Sequence, residues 1–226
     1  MTPGSRPRRG VPAGSRRLLV VLAAVLVAAC GPTATFSPTG ACVVDGRAAG
    51  AYPDLEAVVP RDLSGVPPTS VDSGRSCSER ALGTLASHGL DELRFGGATW
   101  DEGSGAGTSI AVLANAGDDG AARLPVAWVE EFYLAGALAS SKTSNVETSR
   151  PTIGGESVWR LDALNDLSQQ AVVVRPFGDL VQVVLVATHV DPGASLAEHE
   201  RRVELAVLAA VALEGLSEDG VVPSPG

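Results

Sequence analysis

The chain has 226 residues, 17 basic and 26 acidic side chains for a net charge of −9, and only 4% aromatic residues. That length supports one sizeable core, filled with Val, Leu and Ala rather than with rings. The acidic balance excludes nucleic acid as an expected partner, because phosphate backbones are held by Lys and Arg.

The segment that places the chain is Leu18 to Cys30, L-L-V-V-L-A-A-V-L-V-A-A-C, preceded by Arg6, Arg8, Arg9, Arg16 and Arg17 with no acidic residue before it. A basic start followed by a short apolar run reads as an export signal. From Leu18 to Ala29 there are 12 residues, about 18 Å of helix against a hydrocarbon layer of about 30 Å, too short for a retained anchor. The last five residues, Leu26, Val27, Ala28, Ala29 and Cys30, resemble the lipobox of bacterial lipoproteins. That resemblance implies cleavage before Cys30, diacylglycerol on its thiol, and residence at the outer face of the cytoplasmic membrane or in the cell envelope. Ser15, Arg16 and Arg17 also resemble part of a twin-arginine export signal. The expected division is a signal peptide over 1–29, a lipidated flexible tether over 30–41, one domain over 42–216 and a flexible tail over 217–226. Loss of the leader leaves 12 basic against 26 acidic side chains, a balance of −14.

With Cys30 committed to lipid, Cys42 and Cys77 remain as an even pair in an oxidising compartment, and a structural disulfide is expected between them. Closing that loop contributes about 4 kcal/mol in the chain-entropy account. Gly31 to Gly40, with Pro32 and Pro38, has the composition of a tether. Asp54 to Val59 is expected as a helical turn closed by Pro60; Leu63 to Val71, interrupted by Pro67 and Pro68, reads at best as an edge strand. Ser76 to Glu79 has the S-x-x-E capping form, predicting a helix to His88 with Leu82 and Leu85 inward and Gly89 as its stop.

Alternation predicts strands over Glu92 to Trp100 and Thr108 to Ala116, joined by a long Gly-rich loop, Asp101 to Gly107. Leu124 to Ser140 carries Leu124, Trp128, Phe132 and Ala135 at helical spacing, widened by Val129, Tyr133 and Gly136, and is expected to lie largely covered against a sheet. Val146 to Ile153 and Glu156 to Leu161 flank Gly154 and Gly155, whose freedom at positive φ suits a tight hairpin. Ala171 to Arg175 and Leu180 to Thr188 form a stronger pair. In the second, Val181, Val183, Leu185 and Ala187 face one way and Val184 and Val186 the other, with only Gln182 polar, so it reads as the central strand. A second S-x-x-E at Ser195 opens a final helix to Glu214, ended by Gly215, with Leu196, Val203, Ala206, Val207, Ala210 and Val211 inward. The expected fold is α+β, a mainly antiparallel sheet packed against helices in a single domain.

Candidate chemistry is sparse. The bases available are His88 at a helix end, His189 after a strand beside Asp191, and His199 among Glu198, Glu200 and Arg201 on what reads as a solvated helical face. No serine lies in a G-x-S-x-G elbow or an S-x-x-K set. Asp101 with Glu102, and Asp118 with Asp119, lack the ligand spacing of a calcium loop, and H-x-x-x-H and C-x-x-C are missing, so neither a metal nor another cofactor is expected. Trp128 reads as core, whereas Trp100 and Trp159, at strand edges, are the candidates for lining a ligand groove.

Two stretches, Pro53, Asp54, Leu55, Glu56, Val59 and Pro60 with Gly65 and Val66, and Gly154 to Trp159, resemble uncharacterised secreted lipoproteins of high-G+C bacteria. That resemblance implies an exported domain and brings no catalytic residues. The expected function is a lipid-anchored, non-enzymatic module, joined to the membrane by its N-terminal lipid and presenting a surface to a protein or small-molecule ligand. An envelope hydrolase using a histidine base and a purely structural module are the alternatives.

Overall fold

In the computed structural model, residues 35–116, 123–165, 168–190 and 196–218 are described, with the side chains of the last helix described to residue 212. In chain order the elements are β1 (Gly46–Ala48), α1 (Pro53–Ala57), β2 (Ser70–Ser76), α2 (Glu79–Leu82), α3 (Thr84–Ser87), β3 (Leu93–Gly103), β4 (Ala106–Asn115), α4 (Val126–Ala139), β5 (Thr143–Ser149), β6 (Thr152–Ile153), β7 (Glu156–Ser157), β8 (Trp159–Asn165), β9 (Ser168–Phe177), β10 (Leu180–His189) and α5 (Leu196–Glu218). Eight strands form one sheet in the order β1-β2-β3-β4-β10-β9-β8-β5, and every neighbouring pair in it is antiparallel. The fold is therefore the expected α+β domain. Among the described residues no helix is long and apolar enough to cross a membrane.

Because side chains alternate along each strand, the sheet builds a core on both faces. On one face Ala98, Trp100, Ile110, Val112, Ala171, Val173, Val184 and Val186 pack with Tyr52, Leu55 and Val59 around α1 and with Val203, Ala206, Val207 and Ala210 of α5. The other face sets Leu93, Leu113, Val172, Val174, Val181 and Val183 against Leu82, Leu85, Leu124 and Val129 of the α2–α3–α4 layer. In β10, Val181, Val183, Val184 and Val186 are all buried, as a central strand requires. The close approach of α1 depends on Gly96, where a Cβ would stand 2.8 Å from the backbone of Leu55.

Several elements differ from the reading of the sequence. β1 and β2 go beyond it: in β2, Ser-Val-Asp-Ser-Gly-Arg-Ser, the buried residues are Ser73, Gly74 and Arg75, so no apolar alternation announces a strand. Ser76 belongs to β2 and does not cap. The capping oxygen is Ser78 Oγ, which accepts from the Ala81 N–H, and Gly83, at φ 51°, divides the expected single helix into α2 and α3. The long loop expected between β3 and β4 shrinks to Ser104 and Gly105, at φ 54° and 82°, because β3 and β4 extend into it. Gly154 and Gly155, at φ 63° and 88°, turn the β6–β7 hairpin as expected. In α4 only Val129 is fully buried, so the helix is half-covered rather than largely enclosed. Gly215 does not end α5, which continues to Glu218, and Leu196, at its first residue, is 61% exposed instead of inward. Ser195 lies outside the described residues.

The N-terminal part of the domain is tied down by one arginine. Arg75, 2% exposed, donates from Nη1 to the Gly40 carbonyl at 2.9 Å and from Nη2 to those of Thr39 and Ala41, and pairs with Glu92 at 3.2 Å. The Tyr52 hydroxyl donates to the Pro38 carbonyl at 3.0 Å. Residues 38–41, expected in the tether, are thus bound to the sheet. The disulfide expected between Cys42 and Cys77 is present, its Cα atoms 6.0 Å apart, and it holds this segment to the start of α2.

A second polar layer lies under α5. Arg175 pairs with Glu156 at 2.8 Å and donates to Gln182 Oε1 at 2.7 Å, so the polar residue within the apolar run of β10 satisfies a buried cation. Arg160 bridges Asp162 and Glu200 at 2.7 and 2.6 Å. His199 is 1% exposed, not solvated; Nδ1 shares a 2.9 Å hydrogen bond with Thr188 Oγ1, and Nε2 has no partner among the described residues. Its stripe partners Val203, Ala206, Val207 and Ala210, at helical spacing, explain why it turns inward.

Gly96→Ala should destabilise by about 1–3 kcal/mol through overpacking against α1. Gly136→Ala on α4, where a Cβ meets nothing within 4 Å, should instead stabilise by about 0.5–1 kcal/mol through helix propensity. Denaturant unfolding of both variants reads the sign directly. Burial, followed by the positive charge of Arg160, lowers the His199 pKa below its usual value. The unfolded chain then takes up a proton below about pH 6.5 that the folded chain refuses. Stability should fall with pH there, by at most about 1.4 kcal/mol per unit from this group, and His199→Gln should remove that part of the slope. Identical slopes in wild type and variant would contradict the assignment.

Candidate functional site

The antiparallel register draws straight rows of side chains across the sheet. On the α4 side, Thr99 lies opposite Ser109, Ser109 opposite Leu185, Leu185 opposite Val172, and Val172 opposite Leu161. The next row, farther along the same strands, is Asp101, Gly107, Ala187, Gln170 and Ala163. Gly107, Ala187 and Ala163 have almost no side chain, so this row, interrupted by Gln170, is a depression beside the taller Leu185, Val172 and Leu161. α4 packs on β9, β8 and β5, and Phe132, Tyr133, Gly136 and Ala137 wall the depression on that side.

The result is an open trough of two joined chambers. One, of about 310 Å³, is floored by both rows towards β3 and β4. The other, of about 260 Å³, runs between the sheet and the C-terminal half of α4, and the two share Gln170, Val172 and Leu185. Crossing five strands spaced about 4.8 Å apart, the trough is about 19 Å long. Its lining is mostly apolar, with polar groups at defined points. The Thr99 and Ser109 hydroxyls lie 3.3 Å apart, Gln170 Nε2 donates to Ser168 Oγ, and Asp101 Oδ1 accepts from the Gly103 N–H at the β3–β4 end. Tyr133 stands edge-on to Phe132, centroids 5.2 Å apart, and burial pushes its pKa up to about 12, so the wall is uncharged at working pH. Among the described lining residues of both chambers, Asp101 is the single charged group.

The sequence-expected groove residues do not make this site. Trp100 borders it, but alternation sends its indole to the α5 side, where Nε1 donates to the Val66 carbonyl at 2.9 Å. Trp159 is 7% exposed in the core beside α4. Both are core residues. Trp128, expected as core, is half-buried and stacks on His88 at 4.5 Å with planes 6° apart.

The three histidines are separate. His88 Nε2 meets Glu131 at 2.8 Å on the surface beside a 380 Å³ hollow. His199 is enclosed with Thr188. His189 lines a 290 Å³ hollow with Ser104, Glu198 and Arg202, and among the described residues it forms no hydrogen bond to a serine or carboxylate. Asp101 and Glu102 diverge, Asp101 turning to its own hairpin and Glu102 pairing with Arg202, and no three potential ligands converge on a metal among the described residues. Asp118, Asp119, Asp191 and the lipidation candidate Cys30 lie outside the described residues.

The trough escapes sequence reading because it is made by register. Gly107, Ala163 and Ala187 are ordinary small residues until strand pairing aligns them, and no local motif marks which strands pair. No protein-family description, curated protein or solved structure matches the chain, so the site stands on its own geometry.

Proposed function

We propose that this chain is an extracytoplasmic binding module, anchored to the membrane by lipid on Cys30, that takes an apolar small ligand into the sheet trough. The observation that carries the reading is a concave, largely apolar surface with a few fixed polar groups, of the size and composition by which small-molecule sites are recognised. The leader supports export and anchoring; the separation of the histidines favours binding over hydrolysis. A structural module would need no such opening in one face of its sheet.

A neutral apolar fluorophore such as N-phenyl-1-naphthylamine tests the binding half. The soluble chain should enhance its emission saturably, and Ala187→Phe, which fills the floor, should weaken binding by about tenfold or more, with the unfolding temperature little changed. Equal binding by a folded Ala187→Phe variant would place the ligand elsewhere. For the anchor, Cys30→Ser should remove the lipid from the intact mass of the exported protein; an unchanged adduct would end the assignment.

A further inference from the structure

The lining of the trough also selects among apolar ligands. We propose that it takes an uncharged single-chain amphiphile, one alkyl chain bearing a small hydroxylated head, laid across the strands with its head at the β3–β4 end. This rests on the reading of the trough as a ligand site and specifies the ligand's class.

The chain part follows from shape. A methylene needs about the space of a water molecule, roughly 30 Å³, so the larger chamber of about 310 Å³ takes on the order of ten. The course along Gly107, Ala187 and Ala163, beside the ridge of Leu185, Val172 and Leu161, suits one extended chain better than two chains or a broad ring system. The inner end runs under Phe132 and Ala137 of α4, where the lining is uncharged and mostly apolar, with Tyr133 and Thr143 as its hydroxyl-bearing members.

The head part follows from charge. At the open end stand the Thr99 and Ser109 hydroxyls and the Asp101 carboxylate, and none of the described lining residues is basic. A carboxylate or phosphate head is acceptor-only beside the acceptor-only Asp101 and can make no hydrogen bond to it, and no described lining residue supplies a compensating cation. A cationic head gains little, because Asp101 is exposed and already accepts the Gly103 N–H. Hydroxyl groups can both donate to Asp101 and exchange hydrogen bonds with Thr99 and Ser109.

The experiment holds the chain constant and varies the head: monodecanoylglycerol, decanoate and decyltrimethylammonium, each below its micelle concentration, displacing the naphthylamine probe from the soluble protein. Monodecanoylglycerol should displace it at about tenfold lower concentration than decanoate, and at several-fold lower than the ammonium. Asp101→Asn, which keeps an acceptor for Gly103, should narrow the preference over decanoate to about threefold or less. If decanoate or the ammonium competes as well as the neutral ligand, or if Asp101→Asn leaves the preference intact, the head assignment is overturned while the trough remains a site. If the probe itself fails to bind, the underlying reading falls instead.

Discussion

The ladder between β4 and β10 is the constraint on which the rest depends. It runs from Val181 opposite Leu113 to Ala187 opposite Gly107, and it alone joins the four strands of the N-terminal half, β1 to β4, to the four of the C-terminal half. Its partners lie about 70 to 80 residues apart in the chain, so the sheet closes only after the last strand has formed, the non-local pairing that slows folding. β10 can fill this place because Val181 and Val183 project to one core and Val184 and Val186 to the other. Gln182, which would otherwise be a buried amide without purpose, receives the Arg175 guanidinium.

Coverage of the sheet is unequal, and the inequality makes the site. Seven spacings of about 4.8 Å make the eight-stranded sheet about 34 Å wide, whereas the 14 residues of α4 reach about 21 Å. On the opposite face α1 and the 23-residue α5 are supplemented by buried cations, Arg75, Arg160 and Arg175, each paired with a carboxylate. Such pairs fix position more than they add stability, since desolvation offsets their attraction. The strip of sheet that α4 leaves uncovered straddles the β4–β10 ladder, so the trough forms only when the two halves have joined.

Much of the fold was legible where apolar alternation is strong. β10, the Gly154–Gly155 turn and the sequence of α4 announce themselves, and the pairing of Cys42 with Cys77 follows from their number. β2 was hidden because its inward positions are Ser73 and Arg75, polar residues whose partners lie elsewhere in the chain. His199 was misplaced because its neighbours Glu198, Glu200 and Arg201 are charged, although its spacing to Val203, Ala206 and Ala210 already put it on the buried stripe. The tryptophans drew attention as large aromatic groups, yet both strand-edge indoles are needed by the core. The trough, made from Gly107, Ala163 and Ala187, is visible only once the order of strands is known.

The central claim is that the face beside α4, at the β4–β10 junction, is where a ligand sits. Amide chemical-shift mapping by NMR with monodecanoylglycerol addresses it most directly. The account predicts saturable shifts centred on Gly107, Ser109, Gln170, Leu185 and Ala187 and on Phe132 and Ala137 of α4, with the α5 stripe from Val203 to Ala210 little affected. Shifts concentrated around the His88–Trp128 or His189 hollows, with these residues unmoved, would contradict it.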